Sequence, residues 1–123
     1  MLRDELKFFR HKDFPIKGGY GTSFDDAIEF TLDALKGDGF VSLEYDIAPL
    51  LVKGFGEILR FKKQELVYKD DRIYDVLYIS IAKDEFCPLD PIPPVRNYNC
   101  GENERCIYFD ITDCFNEQSR DLQ

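Results

Sequence analysis

Histidine and long apolar runs are nearly absent from the sequence, and their absence excludes several classes of protein. His11 is the only histidine among the 123 residues, and the chain has neither a G-x-S-x-G nor an H-E-x-x-H pattern. We therefore expect no hydrolase triad and no histidine-based zinc site. No stretch approaches the roughly eighteen consecutive apolar residues of a membrane span, and charges interrupt the apolar residues of the N-terminus. These features predict a cytoplasmic protein without a membrane partner.

Basic residues are also scarce. Lys and Arg number 16 against 24 Asp and Glu, which gives a net charge of −8. We therefore expect no nucleic-acid ligand, and a basic protein is the natural partner. Hydrophobic residues make up 44% of the chain, with eleven Phe and seven Tyr, and this favours a folded core over disorder. The composition predicts one domain over residues 1–123, in which residues 84–123 form a proline- and cysteine-rich acidic extension.

The acidic excess is concentrated in two blocks of the sequence. Residues 25–46 hold one basic and seven acidic side chains, and residues 84–123 hold three basic and nine acidic ones, so each block has a net charge of −6. Residues 1–24 and 47–83 are each net +2. Such blocks are either solvated faces that keep the protein in solution or parts of one negative surface that attracts a cationic partner. The two interpretations differ in whether the fold brings the blocks together.

Four cysteines lie in the last third of the chain, at Cys87, Cys100, Cys106 and Cys114. The 12, 5 and 7 residues between them do not form the short pairs typical of structural zinc sites. Because cytosolic thiols are kept reduced, we favour free, partly buried thiols, with disulfides or a metal site as the alternatives. We expect neither a metal ion nor a cofactor.

Two groups of residues invite a catalytic interpretation, and each also has a structural one. The glycine-rich loop Gly18–Gly21 lacks the Gly-Lys-Ser/Thr ending of a P-loop and the G-x-G-x-x-G spacing of a dinucleotide site. The pairs Asp25-Asp26 and Asp70-Asp71 fall where a helix start and a turn already favour aspartate. We therefore expect no enzyme activity. A small ligand-binding domain or enzyme that uses Gly18–Gly21 is the alternative.

Apolar spacing predicts an α+β fold, a single domain with a mostly antiparallel sheet and one or two packed helices. Ser23–Ala27 resembles the start of a helix and indicates a helical turn, and residues 28–35 fit either a helix or a strand. Phe40–Tyr45 alternates as a strand does. Asp46 is placed to cap a helix that continues through Phe61.

A β-hairpin is predicted in the second half of the chain. Glu65–Tyr68 and Arg72–Ala82 flank the polar connection Lys69-Asp70-Asp71. The second strand has apolar residues on both faces, which is typical of a central strand. Asp75 shares the more apolar face, so we expect it to have a hydrogen-bond partner or to lie at the sheet edge.

The end of the chain has a different composition. Four prolines between positions 88 and 94 force an extended path, which we expect to lead the chain around the domain. A last strand is predicted at Arg105–Ile111. No regular structure is expected in Thr112–Gln123.

Two segments resemble a family of small, uncharacterised bacterial proteins. Residues 15–21 followed by Asp26-Ala27 match that family's P-I-x-G-G-x-G…D-A opening. Residues 63–66 followed by Arg72-x-Tyr74-Asp75 match its K-Q-x-L…R-x-Y-D segment. The chain has Tyr20 where the family often has Trp, and the proline-rich tail is outside the pattern. Such proteins look like the immunity proteins found beside contact-dependent inhibition systems and other polymorphic toxins. The resemblance implies a toxin-binding protein, favours a strand after Asp26-Ala27 and carries no catalytic residues.

We expect an immunity protein that binds a cognate basic toxin domain, such as a nuclease, through an acidic surface. The charged residues of this surface come from the two acidic blocks, and two tyrosines are expected as aromatic anchors. The set is Asp38, Glu44, Asp46, Tyr98, Glu102, Glu104, Tyr108, Asp110 and Asp113. A subunit of a larger assembly, docked through the proline-rich tail, is a third interpretation.

Overall fold

The computed structural model describes residues 1–37, 39–52, 57–83, 99–101 and 104–121. Three α-helices and six strands lie within these residues, together with one short 3₁₀ helix at Leu32–Leu35. The α-helices are α1 (Leu2–Arg10), α2 (Phe40–Val52) and α3 (Thr112–Asp121). The strands are β1 (Ile16–Gly18), β2 (Ile28–Phe30), β3 (Glu57–Lys69), β4 (Arg72–Lys83), β5 (Asn99–Gly101) and β6 (Glu104–Asp110).

All six strands belong to one sheet, in the order β1-β2-β6-β4-β3, with β5 also paired to β6. Only the β2–β6 pair is parallel within the described residues, and the other neighbours are antiparallel. The α+β class and the mostly antiparallel sheet are therefore confirmed. The single parallel pair sets residues of the first acidic block beside residues of the second.

The long β3–β4 hairpin is confirmed and extends well beyond its predicted first strand. Its loop consists of Asp70 and Asp71, with φ angles of 51° and 63°. Two successive positive φ angles are typical of the type I′ turn, whose twist matches that of the flanking strands, and Asp tolerates this conformation better than most residues. Strand β4 lies between β3 and β6, as its two apolar faces predicted.

The core lies between one face of the sheet and the helices. Alternate residues of the central strands point into it, and the apolar faces of all three α-helices join the same cluster. Phe30 on β2 and Phe109 on β6 stack at its centre, with ring centroids 5.4 Å apart. Both rings are fully buried, and each such side chain contributes about 1.5–3 kcal/mol through burial alone.

The strand expected at Phe40–Tyr45 is wrong, because these residues begin α2. The buried positions of the helix recur as one helical stripe, which comprises Phe40, Glu44, Ile47, Ala48, Leu51 and Val52. A glutamate in that stripe conceals the helical period, since Val41, Leu43 and Tyr45 then alternate as in a strand. The predicted helix from Asp46 through Phe61 is correspondingly wrong in its bounds. Residues 57–61 belong to β3, and Pro49 lies in the last turn of α2.

Three further segments differ from the sequence-based expectations. Residues 21–26 form a bend and turn without helix, although the Asp26 amide does bond Ser23 Oγ at 3.2 Å as a cap would. The ambiguous residues 28–35 divide into β2 and the 3₁₀ helix. Residues 112–121, expected to lack regular structure, form α3. The proline-rich stretch lies outside the described residues.

Candidate functional site

The fold brings the two acidic blocks together. Strand β2 from the first block pairs with β6 from the second, and Glu29 lies opposite Asp110 in their register. The 3₁₀ helix of the first block also packs against α3 of the second. Two carboxylates on neighbouring strands repel each other unless a cation lies between them.

Arg72, at the start of β4, provides that cation. Its Nε donates to Asp110 Oδ2 at 2.9 Å, and its Nη2 lies 3.3 Å from Glu29 Oε1. Lys17 on β1 adds a second cation, with Nζ 3.6 Å from the same Glu29 oxygen. The acids directly between the strands are thus neutralised, and their role is to join β1, β2, β4 and β6.

Asp110 also fixes the start of α3. Its Oδ1 accepts hydrogen bonds from the backbone N–H of Thr112 at 3.0 Å and from the Thr112 hydroxyl at 2.6 Å. Thr112 Oγ1 in turn accepts the backbone N–H of Ile73 at 2.9 Å. One buried carboxylate therefore links the end of β6, the beginning of α3 and the beginning of β4, as N-terminal capping requires.

Unpaired acids surround this network at the same end of the sheet. Asp25, Asp70, Asp71 and Asp113, hereafter the acidic end, are exposed, and none of the ion pairs among the described residues includes them. Asp70 and Asp71 line a shallow depression of about 360 Å³ together with Arg72 and Thr112. Asp113 acts electrostatically on Arg72, and Asp25 and Asp70 act on the Tyr74 hydroxyl. The acidic end is therefore one surface drawn from three segments of the chain, the loop before β2, the β3–β4 turn and the start of α3.

An aromatic cluster borders the acidic end. The Phe24 ring packs edge-on against Tyr74 and Tyr108, with centroids 5.0 Å and 4.8 Å away. The Lys69 ammonium lies 4.5 Å from the Phe24 centroid. Burial, and next the Asp110 carboxylate, raise the pKa of the Tyr74 hydroxyl. Rings beside carboxylates form the combination that binds arginine-rich protein surfaces.

The six expected site residues that the structure describes do not all lie on the surface. Asp46 and Asp113 are exposed and make no ion pair among the described residues. Glu104 and Tyr108 are half-buried, and Glu104 pairs with Lys62 Nζ at 3.2 Å. Asp38, Tyr98 and Glu102 lie outside the described residues.

Two of the expected surface acids are buried. Glu44 is wrong as a surface residue, because its side chain is fully buried on the core face of α2. Asp110 is 7% exposed and engaged by Arg72 and Thr112, so its charge is compensated before any partner arrives. Asp25, Asp70 and Asp71 take their place. The sequence places Asp70 and Asp71 in a hairpin turn. Only the parallel β2–β6 pairing brings that turn beside the first acidic block.

Glu44 meets Asp75 of β4 inside the protein. Neither oxygen of Glu44 has a hydrogen bond of ordinary geometry. Burial, followed by interaction with Asp75, raises the pKa of Glu44 to about 11, so its carboxyl group is neutral at pH 7. Gln64 on β3 donates from Nε2 to Asp75 Oδ2, which confirms that Asp75 has a hydrogen-bond partner. Burial also raises the pKa of Asp75.

The glycine-rich loop uses its donors internally. The backbone N–H groups of Gly19 and Gly21 bond the carbonyls of Ala27 and Asp26, at 2.9 Å and 2.6 Å. The Tyr20 N–H bonds Asp26 Oδ1 at 3.1 Å. A Cβ at Gly19 would fall on the Asp26 backbone carbonyl. These contacts give the P-I-x-G-G-x-G…D-A residues a structural role, and they leave the three successive N–H groups no free hydrogen for a phosphate.

The cysteines do not share one chemical state. Cys114 is a free, buried thiol, and its Sγ contacts the Thr31 carbonyl at 3.2 Å. Cys106 is disulfide-bonded, which corrects the expectation of a free thiol at that position. No cluster of three or more potential metal ligands occurs among the described residues.

Comparison of the chain with protein-family models, with curated proteins and with solved structures found no match. Within the described residues, no helix is both long and apolar enough to cross a membrane.

Proposed function

We propose that the protein is a cytoplasmic immunity protein that binds and neutralises a cognate basic toxin domain, with the acidic end as its contact surface. The observation that carries this assignment is the convergence of Asp25, Asp70, Asp71 and Asp113 from three segments of the chain. The overall charge of −8 and the resemblance to immunity proteins support the same function.

Electrostatic attraction would act mainly on the rate of association. A toxin that cleaves nucleic acid needs a basic surface for phosphate, and carboxylates that occupy that surface compete with the substrate. Oppositely charged surfaces raise association rates at low salt, and this gain declines as salt screens the charges. The Phe24, Tyr74 and Tyr108 cluster supplies a less salt-sensitive contact for arginine side chains.

A second function based on the loop Gly18–Gly21 receives no support from its geometry. A phosphate-binding loop presents backbone N–H groups to the ligand, whereas those of Gly19, Tyr20 and Gly21 are bonded within the loop. We therefore do not assign a small-molecule reaction to this loop.

The test begins with the reading frame immediately upstream, where the immunity function predicts a large secreted protein with a variable C-terminal domain. That domain is the binding partner in the experiment. Its association with the wild-type protein is compared with that of a triple variant carrying Asp70→Asn, Asp71→Asn and Asp113→Asn. Asparagine accepts the positive φ of the hairpin turn, so the fold is retained. We expect the association rate constant at low salt to fall by about tenfold and its salt dependence to flatten.

A control variant neutralises three exposed acids elsewhere, Asp4, Asp13 and Asp33, and has the same net charge. Equal kinetics for the two triple variants would mean that overall charge, rather than the acidic end, attracts the toxin. Failure of the wild-type protein to bind the domain or to protect cells that express it would refute the immunity function itself.

A further inference from the structure

A solvent-open cleft on the core side of β3 has features of a binding site. Its volume is about 420 Å³, and it lies between α2, β3 and α3. The apolar lining includes Phe40 and Val41 of α2, Leu66 of β3 and Phe115 of α3. Gln64 and Asp75 contribute polar groups. A few polar groups set among apolar walls are typical of sites that bind a small group.

A chain of hydrogen bonds fixes the polar groups. The Tyr45 hydroxyl donates to Gln64 Oε1 at 3.1 Å, which directs the amide Nε2 toward Asp75 Oδ2. Asp75 is only 2% exposed, although it lines the cleft. Its carboxyl group is therefore held in place before any ligand arrives.

The charge of this carboxyl pair is not compensated within the described residues. Glu44, beside Asp75, is fully buried, and neither of its oxygens has a hydrogen bond of ordinary geometry. No ion pair between described residues includes either acid. Any negative charge on Asp75 therefore has no cation beside it among the described residues, and a buried carboxylate without a cation is unfavourable. Asp75 also has more acceptor positions than the Gln64 amide occupies.

We propose that this cleft binds a guanidinium or alkylammonium group on an apolar stem, as carried by an arginine or lysine side chain of a protein partner. The cationic group would bond Asp75, and the methylene stem would lie along Phe40, Val41 and Leu66. Long basic side chains combine these two requirements in one group. Because the cleft is open to solvent, a side chain attached to a larger protein can enter it.

That the bound side chain belongs to the toxin depends on the proposed function. Binding of a cation by the cleft does not depend on it. Asp75 lies in the cleft, and Asp70, Asp71 and Asp113 lie at the acidic end. Variants of one site therefore leave the other intact, and the two hypotheses fail independently.

The probe is N-acetyl-arginine N-methylamide, with the corresponding citrulline derivative as a neutral control of nearly the same shape. Binding to the full chain is followed by NMR, through the side-chain amide of Gln64 and the backbone amide of Leu66. We expect the arginine probe to shift both signals and the citrulline probe to bind at least tenfold more weakly, since it lacks the charge. Free arginine serves as a third probe, because it represents a small-molecule ligand. If it bound markedly more tightly than N-acetyl-arginine N-methylamide, the assignment to a protein side chain would be overturned.

Two variants locate the binding. Asp75→Asn removes the charge with little change of shape and is expected to weaken the arginine probe at least tenfold. Val41→Trp fills the cleft from its exposed rim without altering either acid, and it provides the test if Asp75→Asn fails to fold. Asp4→Asn, on α1, is the matched control for loss of one charge. Equal binding of the two probes, or binding unaffected by Val41→Trp, would overturn the cation site.

Discussion

Glu44 on α2 and Asp75 on β4 place two buried carboxyl groups next to each other inside the protein. Burial prevents Glu44 from ionising, and the neighbouring Asp75 carboxyl adds to that effect, so the pKa of Glu44 rises to about 11. In the unfolded chain the same group ionises near its ordinary pKa. Folding therefore requires proton uptake over a wide pH range, which makes the stability of the protein depend on pH.

Glu44→Gln should stabilise the protein at neutral and alkaline pH. Between the unfolded pKa and about 11, the native state holds a proton at Glu44 that the unfolded state has released, so the free energy of unfolding falls as pH rises. The slope from this one group approaches about 1.4 kcal/mol per pH unit. Glutamine resembles the protonated form and removes this contribution. Urea unfolding at pH 5, 7 and 9 measures the effect.

The control is Asp46→Asn, two positions further along α2 on its exposed side. It is expected to leave the pH dependence of the wild type unchanged. If Glu44→Gln and the wild type showed the same slope between pH 5 and pH 9, Glu44 would be ionised in the native protein, and the raised pKa of Glu44 would be refuted.

Asp110 is expected to contribute more to the free energy of unfolding through its bonds to Thr112 at the start of α3 than through its ion pair with Arg72. Asp110→Ala removes the acceptor for both the N–H and the hydroxyl of Thr112, and it also removes the partner of half-exposed Arg72. A helix cap contributes about 1 kcal/mol and a partly exposed ion pair less, so we expect a loss of about 2 kcal/mol. Asp110→Asn keeps a carbonyl oxygen for Thr112 and should lose less than half as much. Equal losses in thermal or urea unfolding would assign the stabilisation to Arg72 instead.

Gly19 and Gly37 should respond differently to alanine, although both lie in loops. A Cβ at Gly19 would overlap the Asp26 carbonyl and open the loop, so Gly19→Ala is expected to lose about 2 kcal/mol or more. Gly37 has a φ of 67° but nothing within 4 Å, so Gly37→Ala meets only the strain of that backbone conformation, about 1 kcal/mol. Urea unfolding compares the two. A smaller loss at Gly19 than at Gly37 would contradict the close approach of Asp26.

Local patterns in the sequence predicted the parts of the fold that local contacts determine. The Asp70-Asp71 turn, the two apolar faces of β4 and the alternation of β6 each lie within one segment, and each prediction is confirmed. Helix α2 is not predicted because Glu44 occupies its buried face. An apolar residue at that position would show the helical periodicity of the buried residues. Helix α3 is not predicted because the bonds that fix its start join Asp110, the last residue of β6, to Thr112, and nothing in the alternation of β6 indicates them.

The candidate surface depends on pairings that no local pattern contains. Glu29 and Asp110 lie far apart in the sequence and become neighbours only through the parallel β2–β6 pair. The charge of each block was predictable, but not that Arg72 neutralises these two acids while Asp25 and Asp113 remain unpaired. A count of charge along a chain thus shows how much charge is available, and the tertiary pairing determines which of it faces a partner.

Native alkylation should separate the two described states of cysteine. Burial, and next the Asp113 charge, raise the pKa of the Cys114 thiol to about 11, so little thiolate forms at pH 8. We therefore expect iodoacetamide to modify Cys114 only after unfolding, and the disulfide-bonded Cys106 of an oxidised preparation only after unfolding and reduction. Peptide mass mapping of samples taken from cells and from oxidised preparations checks both. Because the proposed compartment keeps thiols reduced, Cys106 from cells should be alkylated once the protein is unfolded, without added reductant. A Cys106 disulfide in freshly lysed cells would contradict a cytoplasmic site of action, and rapid labelling of native Cys114 would contradict its burial against Thr31.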